Sequence, residues 1–384
     1  MHFKDKNLLI ISNGYPTSTY PLQPFVKGQV DVLNGYFNSV YVISPQPYGY
    51  RRELKDYFYD NIRVYYPRFF HLPFEFFRKR LGDNFFKAAM RVIQREKLEF
   101  DIIHAHFTWP SGYAGVKLAR EFEVPVVITI HENRDWFLRE YNSKNEKIYW
   151  TWRNADALIR VNKKDVPLLK KFNPNIYSIP NGFSPERLKV INKKVARVKL
   201  NLRNDKKIIF SLGALIERKG FHYLIDAMSM VIKKRKDIIC YIGGSGPLKD
   251  KLQKQINKLS LQNHVKLLGF VPDEQLLLWM NAADLFVLPS LSEGNPTVMF
   301  EALGVGLPFV GTAVGGVPEI ITSEEYGLLC PPKDPECLAE KILIALDKEW
   351  DREKIREYAE QFTWEKISIE VLNVYSKISK DKVM

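Results

Sequence analysis

The sequence predicts an α/β protein made of two doubly wound parallel-sheet domains. Short apolar, β-branched runs alternate with amphipathic helical stretches almost throughout its 384 residues. The runs are apolar on successive positions, as strands buried on both faces of a parallel sheet are. The length exceeds what one hydrophobic core usually serves, and a hydrophobic share of 46% is enough for two.

In the N-terminal half the strands are expected at Leu8–Ser12, Val40–Ser44, Ile62–Tyr66, Ile102–Ala105, Val126–Ile130, Leu158–Val161 and Tyr177–Ile179. The rhythm restarts at Ile208–Leu212, followed by Ile239–Ile242, Val265–Leu268, Leu285–Leu288, Phe309–Val310 and Leu328–Cys330. Between the halves, Asn192–Lys207 is polar and basic without an apolar period, so it is the expected linker. The division is then 1–191, linker 192–207, 208–352, and a helical tail 353–384 that packs back on the first domain. Ligands of such sheets lie beyond the carboxyl ends of the strands, so two domains facing across a cleft share one site.

Composition excludes several classes. No apolar run reaches the roughly 18–20 residues of a membrane span, and LLIIS near the N-terminus is too short for a secretory core, so a cytoplasmic protein is expected. Cys240, Cys330 and Cys337 have neither zinc nor redox spacing. The net charge of +13 favours anionic partners, although solvated charged faces account for it too. Nucleic acid is not among the expected partners, because no helix-turn-helix, RNP-like or zinc-finger pattern occurs.

The most informative segment is Ser292–Ile321, SEGNPTVMFEALGVGLPFVGTAVGGVPEII. Asn295 and Pro296 mark a helix start, with Asn295 as the N-cap. The amides from Asn295 through Thr297 and Val298 then suit a phosphate. Glu293 precedes the helix and Glu301 lies about one and a half turns inside it. Carboxylates beside an anion site are explained if they accept hydrogen bonds from sugar or ribose hydroxyls. Taken alone, the two acids read equally as solvated charge on a helix face.

Glycine pairs follow two other strands, Gly243–Gly244 and Gly315–Gly316, where backbone approaches a ligand or turns tightly. Arg218 and Lys219 follow the strand at Ile208–Leu212, and two cations at that edge are able to neutralise a diphosphate leaving group; ordinary surface charge is the other reading. In the N-terminal half Gly14 ends the first strand, where it lets backbone approach a ligand. His104 and His106 share one face of a strand, as core or loop-anchoring residues rather than metal ligands. His131 ends the next strand and is placed to meet a sugar through its neutral ring or its carbonyl. Arg51–Phe100 is both basic and aromatic, a composition that suits either an anionic membrane surface or a packed core with basic edges.

In order and spacing, these segments resemble the family-4 (group 1) retaining glycosyltransferases, which have the GT-B fold. The resemblance rests on HAHF, His131, RNADALIRVN, IPNGFSPERL, LGALIERKG, GGSGPL and the Glu293–Glu301 spacing followed by GGVPEII. It implies that Glu301 holds ribose hydroxyls and Glu293 the donor sugar, with the amides of Asn295–Val298 on the sugar and distal phosphate. Arg218 and Lys219 would clamp the diphosphate, His131 would lie by the sugar, and Gly14 and Gly244 would line the nucleotide site. The substrates implied are a UDP-, GDP- or ADP-linked sugar and a glycan, lipid-linked or small hydroxyl acceptor. No metal and no further cofactor are implied, and the protein would sit in the cytoplasm or at the inner face of the membrane. The chain departs from the family pattern at Ala214, where many members carry arginine. It departs also at Ser184, which replaces an acid, and in the first loop, where Pro24 and Phe25 precede Gly28. Two other readings remain from the residues: a nucleotide-sugar epimerase or hydrolase, and a glycan-binding protein that has lost catalysis.

Overall fold

The computed structural model describes residues 3–17, 23–49, 54–71 and 79–381. The chain forms two compact units, Met1–Gly182 with Trp364–Met384, and Phe183–Thr363.

The strands of the first unit are β1 (Phe3–Ser12), β2 (Phe37–Ile43), β3 (Gln46–Pro47), β4 (Tyr57–Tyr59), β5 (Ile62–Tyr65), β6 (Arg68–Phe69), β7 (Ile102–His106), β8 (Val126–Ile130), β9 (Ala157–Arg160) and β10 (Ile176–Ser178). Eight of them make a sheet in the order β10-β9-β8-β7-β1-β2-β5-β4, parallel except for β4, and β3 pairs with β6. The order reverses between β1 and β7, which creates a switch point beyond their carboxyl ends. Side chains alternate between two cores. Leu8 and Ile10 face one, and Leu9 and Ile11 face the other.

The second unit contains β11 (Lys207–Leu212), β12 (Ile238–Gly243), β13 (Val265–Gly269), β14 (Leu285–Leu288), β15 (Phe309–Thr312) and β16 (Gly327–Cys330). They form one parallel sheet, β13-β12-β11-β14-β15-β16, whose switch point lies between β11 and β14. Each strand expected from the apolar runs is present, with ends shifted by up to three residues except at β1, which starts five residues earlier than expected. The three short strands β3, β4 and β6 went unanticipated, because two or three residues are too few to show a period.

The expected boundaries differ from those observed. The first unit ends at Gly182, not at residue 191, because Phe183 and Leu188 are buried in a core of the second unit. Nor is 192–207 a linker. Asn192 caps a helix, Lys193–Lys199, by accepting from the Lys194 and Val195 amides. Arg197 on that helix is buried against Asp284, 2.7 Å away. Two of the basic residues that made the segment look solvated, Lys193 and Arg197, are therefore paired with an acid about 90 residues on. The tail also divides. Arg352–Ala359 stays in the second unit, while the helix Trp364–Asp381 belongs to the first. Trp364, Ile367, Val371, Tyr375 and Ile378 recur at helical spacing and are buried with Leu8, Ile10 and Phe37. Gly28 makes room for Trp364, since a Cβ there would lie 2.3 Å from the indole nitrogen.

Candidate active site

In the second unit the loops after β11, β12, β14 and β15 hold one another in place at the carboxyl edge of the sheet. The Leu291 amide donates to the Arg218 carbonyl at 2.7 Å, and the Gly316 amide to the Gly294 carbonyl at 2.8 Å. Glycines permit this approach. Gly220 (φ +64°) and Gly315 (φ +54°) have backbones no L side chain adopts readily, and a Cβ would fall 2.1 Å from the Pro289 oxygen and 2.0 Å from the Glu293 oxygen. At Gly244 (φ +140°) a Cβ would lie 1.8 Å from the Gly213 oxygen. Close packing of loop on loop is thus sufficient reason for glycine at these positions.

The loop after β14 delivers Glu293, which is 5% exposed. Its Oε1 accepts from Lys219 Nζ (2.6 Å) and Ser290 Oγ (2.6 Å), and its Oε2 from Arg218 Nη1 (3.0 Å). The Arg218 guanidinium is aimed by a second bond, to the Ser292 carbonyl (2.8 Å). Burial pushes the carboxyl upward, but Lys219 and Arg218 outweigh it and hold Glu293 below its ordinary range. The cations expected for a diphosphate and the acid expected for a sugar are therefore one ion-paired cluster. Two positive charges face one negative, leaving a net of about +1.

The helix Thr297–Gly304 starts one residue later than expected. Its N-cap is Pro296 (φ −74°, ψ 117°), and no side chain caps it. The extended ψ of Pro296 places it outside the helix, so Asn295 stays in the loop, buried. Thr297 and Val298, half-buried, head the first turn.

Glu301, in the second turn, meets a residue to which no role had been given. Arg187 Nη1 bonds Glu301 Oε1 at 2.7 Å while its other nitrogens take both oxygens of Asp273, at 2.7 and 3.0 Å. Burial and the Asp273 charge raise the Glu301 carboxyl above its ordinary value despite Arg187. Arg187 stands in the segment IPNGFSPERL, 114 residues before Glu301, and no spacing rule links them.

In the first unit, Gly14 follows β1 and is buried, its carbonyl accepting from Ser12 Oγ at 2.7 Å. The rings of His104, His106 and His131 stack, with centroids 4.4 and 5.2 Å apart. His104 is satisfied on both sides, by Tyr375 Oη (2.6 Å) and Thr129 Oγ1 (2.7 Å). His106 Nδ1 and His131 Nε2 share a hydrogen bond of 2.9 Å. Burial, with further repulsion from neighbouring cationic groups, lowers His131 to about 3, and burial alone lowers His104 to about 3. These rings are neutral at physiological pH. The backbone around His131 is equally fixed: the fully buried Arg160 donates to the Ile130 and Glu132 carbonyls at 2.8 Å each, and grips Asp165.

Of the basic, aromatic stretch Arg51–Phe100, residues 51–53 and 72–78 lie outside the described residues, as do 18–22 of the first loop. In the remainder, Phe58 and Phe70 are exposed while Phe69 and Phe85 are core. Among the described residues no helix is long and apolar enough to cross a membrane, and no cluster of three metal-ligating side chains occurs.

Comparison with known proteins gives concordant results. The model for glycosyl transferases group 1 matches residues 192–362, and that for glycosyltransferase family 4 matches 38–187. A Bacillus subtilis (strain 168) glycosyltransferase assigned to teichuronic acid biosynthesis, TuaC, is 29% identical over 353 residues, covering 87% of this chain and 88% of the relative. Sucrose-phosphate synthase from Thermosynechococcus elongatus superposes with a TM-score of 0.82 at 22% identity, over 98% of this chain and 100% of that one. Anabaena Alr3699/HepE, solved in complex with UDP, does so at 0.74 and 20%, over 97% and 100%. With two parallel sheets, each with its own switch point, and family matches to both halves, the chain belongs to the group 1, family 4 glycosyltransferases of GT-B fold.

Proposed function

We propose that the protein transfers a hexose from a nucleoside-diphosphate sugar to a hydroxyl of a glycan, lipid-linked or small acceptor, with retention of anomeric configuration. The observation that carries this reading is the Arg218–Lys219–Glu293 cluster at the β11/β14 switch point. Its net positive charge suits the diphosphate, and the amides of Thr297 and Val298 head a helix beside it. Glu293 has its Oε1 filled by two donors, so Oε2 is the atom left to accept a sugar hydroxyl. Glu301 takes the ribose hydroxyls, with Arg187 fixing its orientation, and the neutral His131 contacts the donor sugar. Gly14 and Gly244 allow backbone to approach the nucleotide. No metal or further cofactor is needed in this scheme, because the two cations offset leaving-group charge.

In the reaction, the bond from the anomeric carbon to the β-phosphate oxygen breaks and the diphosphate leaves with the electron pair. The acceptor hydroxyl attacks the same face of the oxocarbenium-like sugar, and its proton passes to the departing phosphate oxygen. Neither glutamate acts as a covalent nucleophile. Ionic groups that stand ready before the bond breaks supply most of the stabilisation.

HepE was solved with UDP, which makes uracil the first base to try. Thermal unfolding with UDP-, GDP- and ADP-sugars is the direct test, because a bound donor raises the midpoint with the logarithm of ligand excess over Kd. No shift with any nucleotide would overturn the proposal. A labelled donor then separates transfer from epimerisation, which needs no acceptor. Flotation with anionic vesicles tests association with the inner face of the membrane.

A further inference from the structure

A second recess has no part in the scheme above. A pocket of about 350 Å³ opens in the first unit, and one of its walls is Trp109, in the turn after β7 at the β1/β7 switch point. Trp109 is held there. Its carbonyl accepts from Asn13 in the loop after β1 (3.1 Å), its ring centroid is 5.2 Å from that of Tyr113, and a Cβ on Gly82 would lie 2.7 Å from the indole. Trp109 and Ile148, both buried, give the pocket an apolar lining.

Trp136, on the helix Arg134–Asn142 and 36% exposed, lines the same pocket. An exposed indole is ordinarily free to rotate, but this one is pinned. Trp136 Nε1 donates to Glu140 Oε1 at 3.1 Å, and Glu140 is 6% exposed. The bond fixes the ring plane and commits Glu140, the only acid lining the pocket among the described residues, to the indole. Lys79 and Arg139, both exposed, line it too, so with Glu140 the net charge of the described lining is about +1. A fixed aromatic face, a buried apolar lining and a few polar groups are what a small polar-faced ring requires. The C–H face of a pyranose lies against an indole, while an acidic substituent reaches a guanidinium or ammonium.

We propose that this pocket takes a pyranose ring of the acceptor that bears an acidic group, stacked on Trp136 with the acid towards Arg139 and Lys79. This rests on the transferase reading and gives its acceptor a chemical class. The acid could come from a uronate or from a phosphate ester.

The test titrates the full chain with methyl glucuronide, glucose 6-phosphate and the neutral methyl glucoside, reading tryptophan fluorescence and saturation-transfer NMR. Expected are a saturable response to at least one acidic probe, affinity about fivefold weaker for the neutral one, and loss of the response in Trp136→Ala. The stronger of the two acidic probes identifies the acid. Arg139→Ala is expected to abolish the preference for acid while leaving the weak sugar response. A response that persists in Trp136→Ala would overturn the proposal, as would no saturation by any probe up to about 50 mM or equal affinity for acidic and neutral rings. If Trp136→Ala fails to fold, Trp136→Phe keeps the apolar wall without the Nε1 bond and is expected to weaken binding several-fold. None of these titrations contains nucleotide, so a failure of the donor assay and a failure here are separable.

Discussion

Glu293→Gln separates the two tasks assigned to one cluster. The change keeps the size of the side chain and removes the negative charge that Lys219 and Arg218 share. Two consequences follow, of opposite sign. In the free protein two cations remain side by side, with the Lys219 side chain only 13% exposed, and two charge-assisted bonds become weaker ones. Allowing for the persisting bonds of Arg218 and Ser290, the loss is about 2–4 kcal/mol. For a unit of this size that lowers the Tm by roughly 4–16 °C. UDP, by contrast, no longer competes with a carboxylate for the cations. Taking a phosphate at about 5 Å and an effective dielectric of about 20, removing one repulsive charge is worth up to about 3 kcal/mol, and solvent and salt reduce it to about 1–2. UDP affinity is therefore expected to rise about five- to thirtyfold while sugar transfer falls. Calorimetric titration with UDP and thermal unfolding with and without it read both effects. A lower Tm together with unchanged or weaker UDP binding would refute the placement of Arg218 and Lys219 at the diphosphate. Acidity gives a further check: the folded pKa of Glu293 is below its ordinary 4.5, so its contribution is complete above that value and lost as pH falls beneath it. The stability difference between wild type and Glu293→Gln should be flat from pH 5 to 8 and shrink at lower pH, which acid titration of the Tm checks.

Three other outcomes are expected. His104 and His106 are fully buried with folded pKa values far below 6.5, so the unfolded chain binds their protons first and stability falls as pH drops through 6.5. With His131, which is lowered likewise, three such groups cost about 4 kcal/mol between pH 7.5 and 5.5, measurable by urea unfolding, and replacing His104 with Gln should remove about a third of that slope. Gly244→Ala drives a Cβ against the Gly213 oxygen at a φ that alanine resists, and should destabilise the second unit by about 2–4 kcal/mol in thermal unfolding. Arg187→Met leaves the buried Glu301 without its cation. A loss of about 1–3 kcal/mol and a weakened response to nucleosides should follow, with Glu301→Gln in the same chain restoring part of the stability.

The sequence by itself determined the two parallel sheets, because strand burial is written in local runs such as LLII and VVITI that need no partner to be recognised. It also placed Arg218, Lys219 and Glu293 at strand ends, since an apolar run that stops at a glycine or a proline marks where the chain leaves the sheet. What it did not contain was which of these charges meet. Lys219 and Glu293 are 74 residues apart, Arg187 and Glu301 are 114 apart, and Arg197 meets an acid 87 residues away. Pairing at such separations is set by strand order, and strand order leaves no period in the chain. The unit boundary was missed for the same reason. The basic run after Asn192 has the composition of a linker, but only its position beside Asp284 makes it part of a core. The helix from Trp364 likewise shows an apolar stripe in the sequence, whereas the choice of the first unit as its partner depended on the cleared space at Gly28 and the Tyr375 bond to His104. Local periodicity specifies which residues are buried. The tertiary structure decides against what, and here that choice fixes the charge on the groups expected to hold the diphosphate.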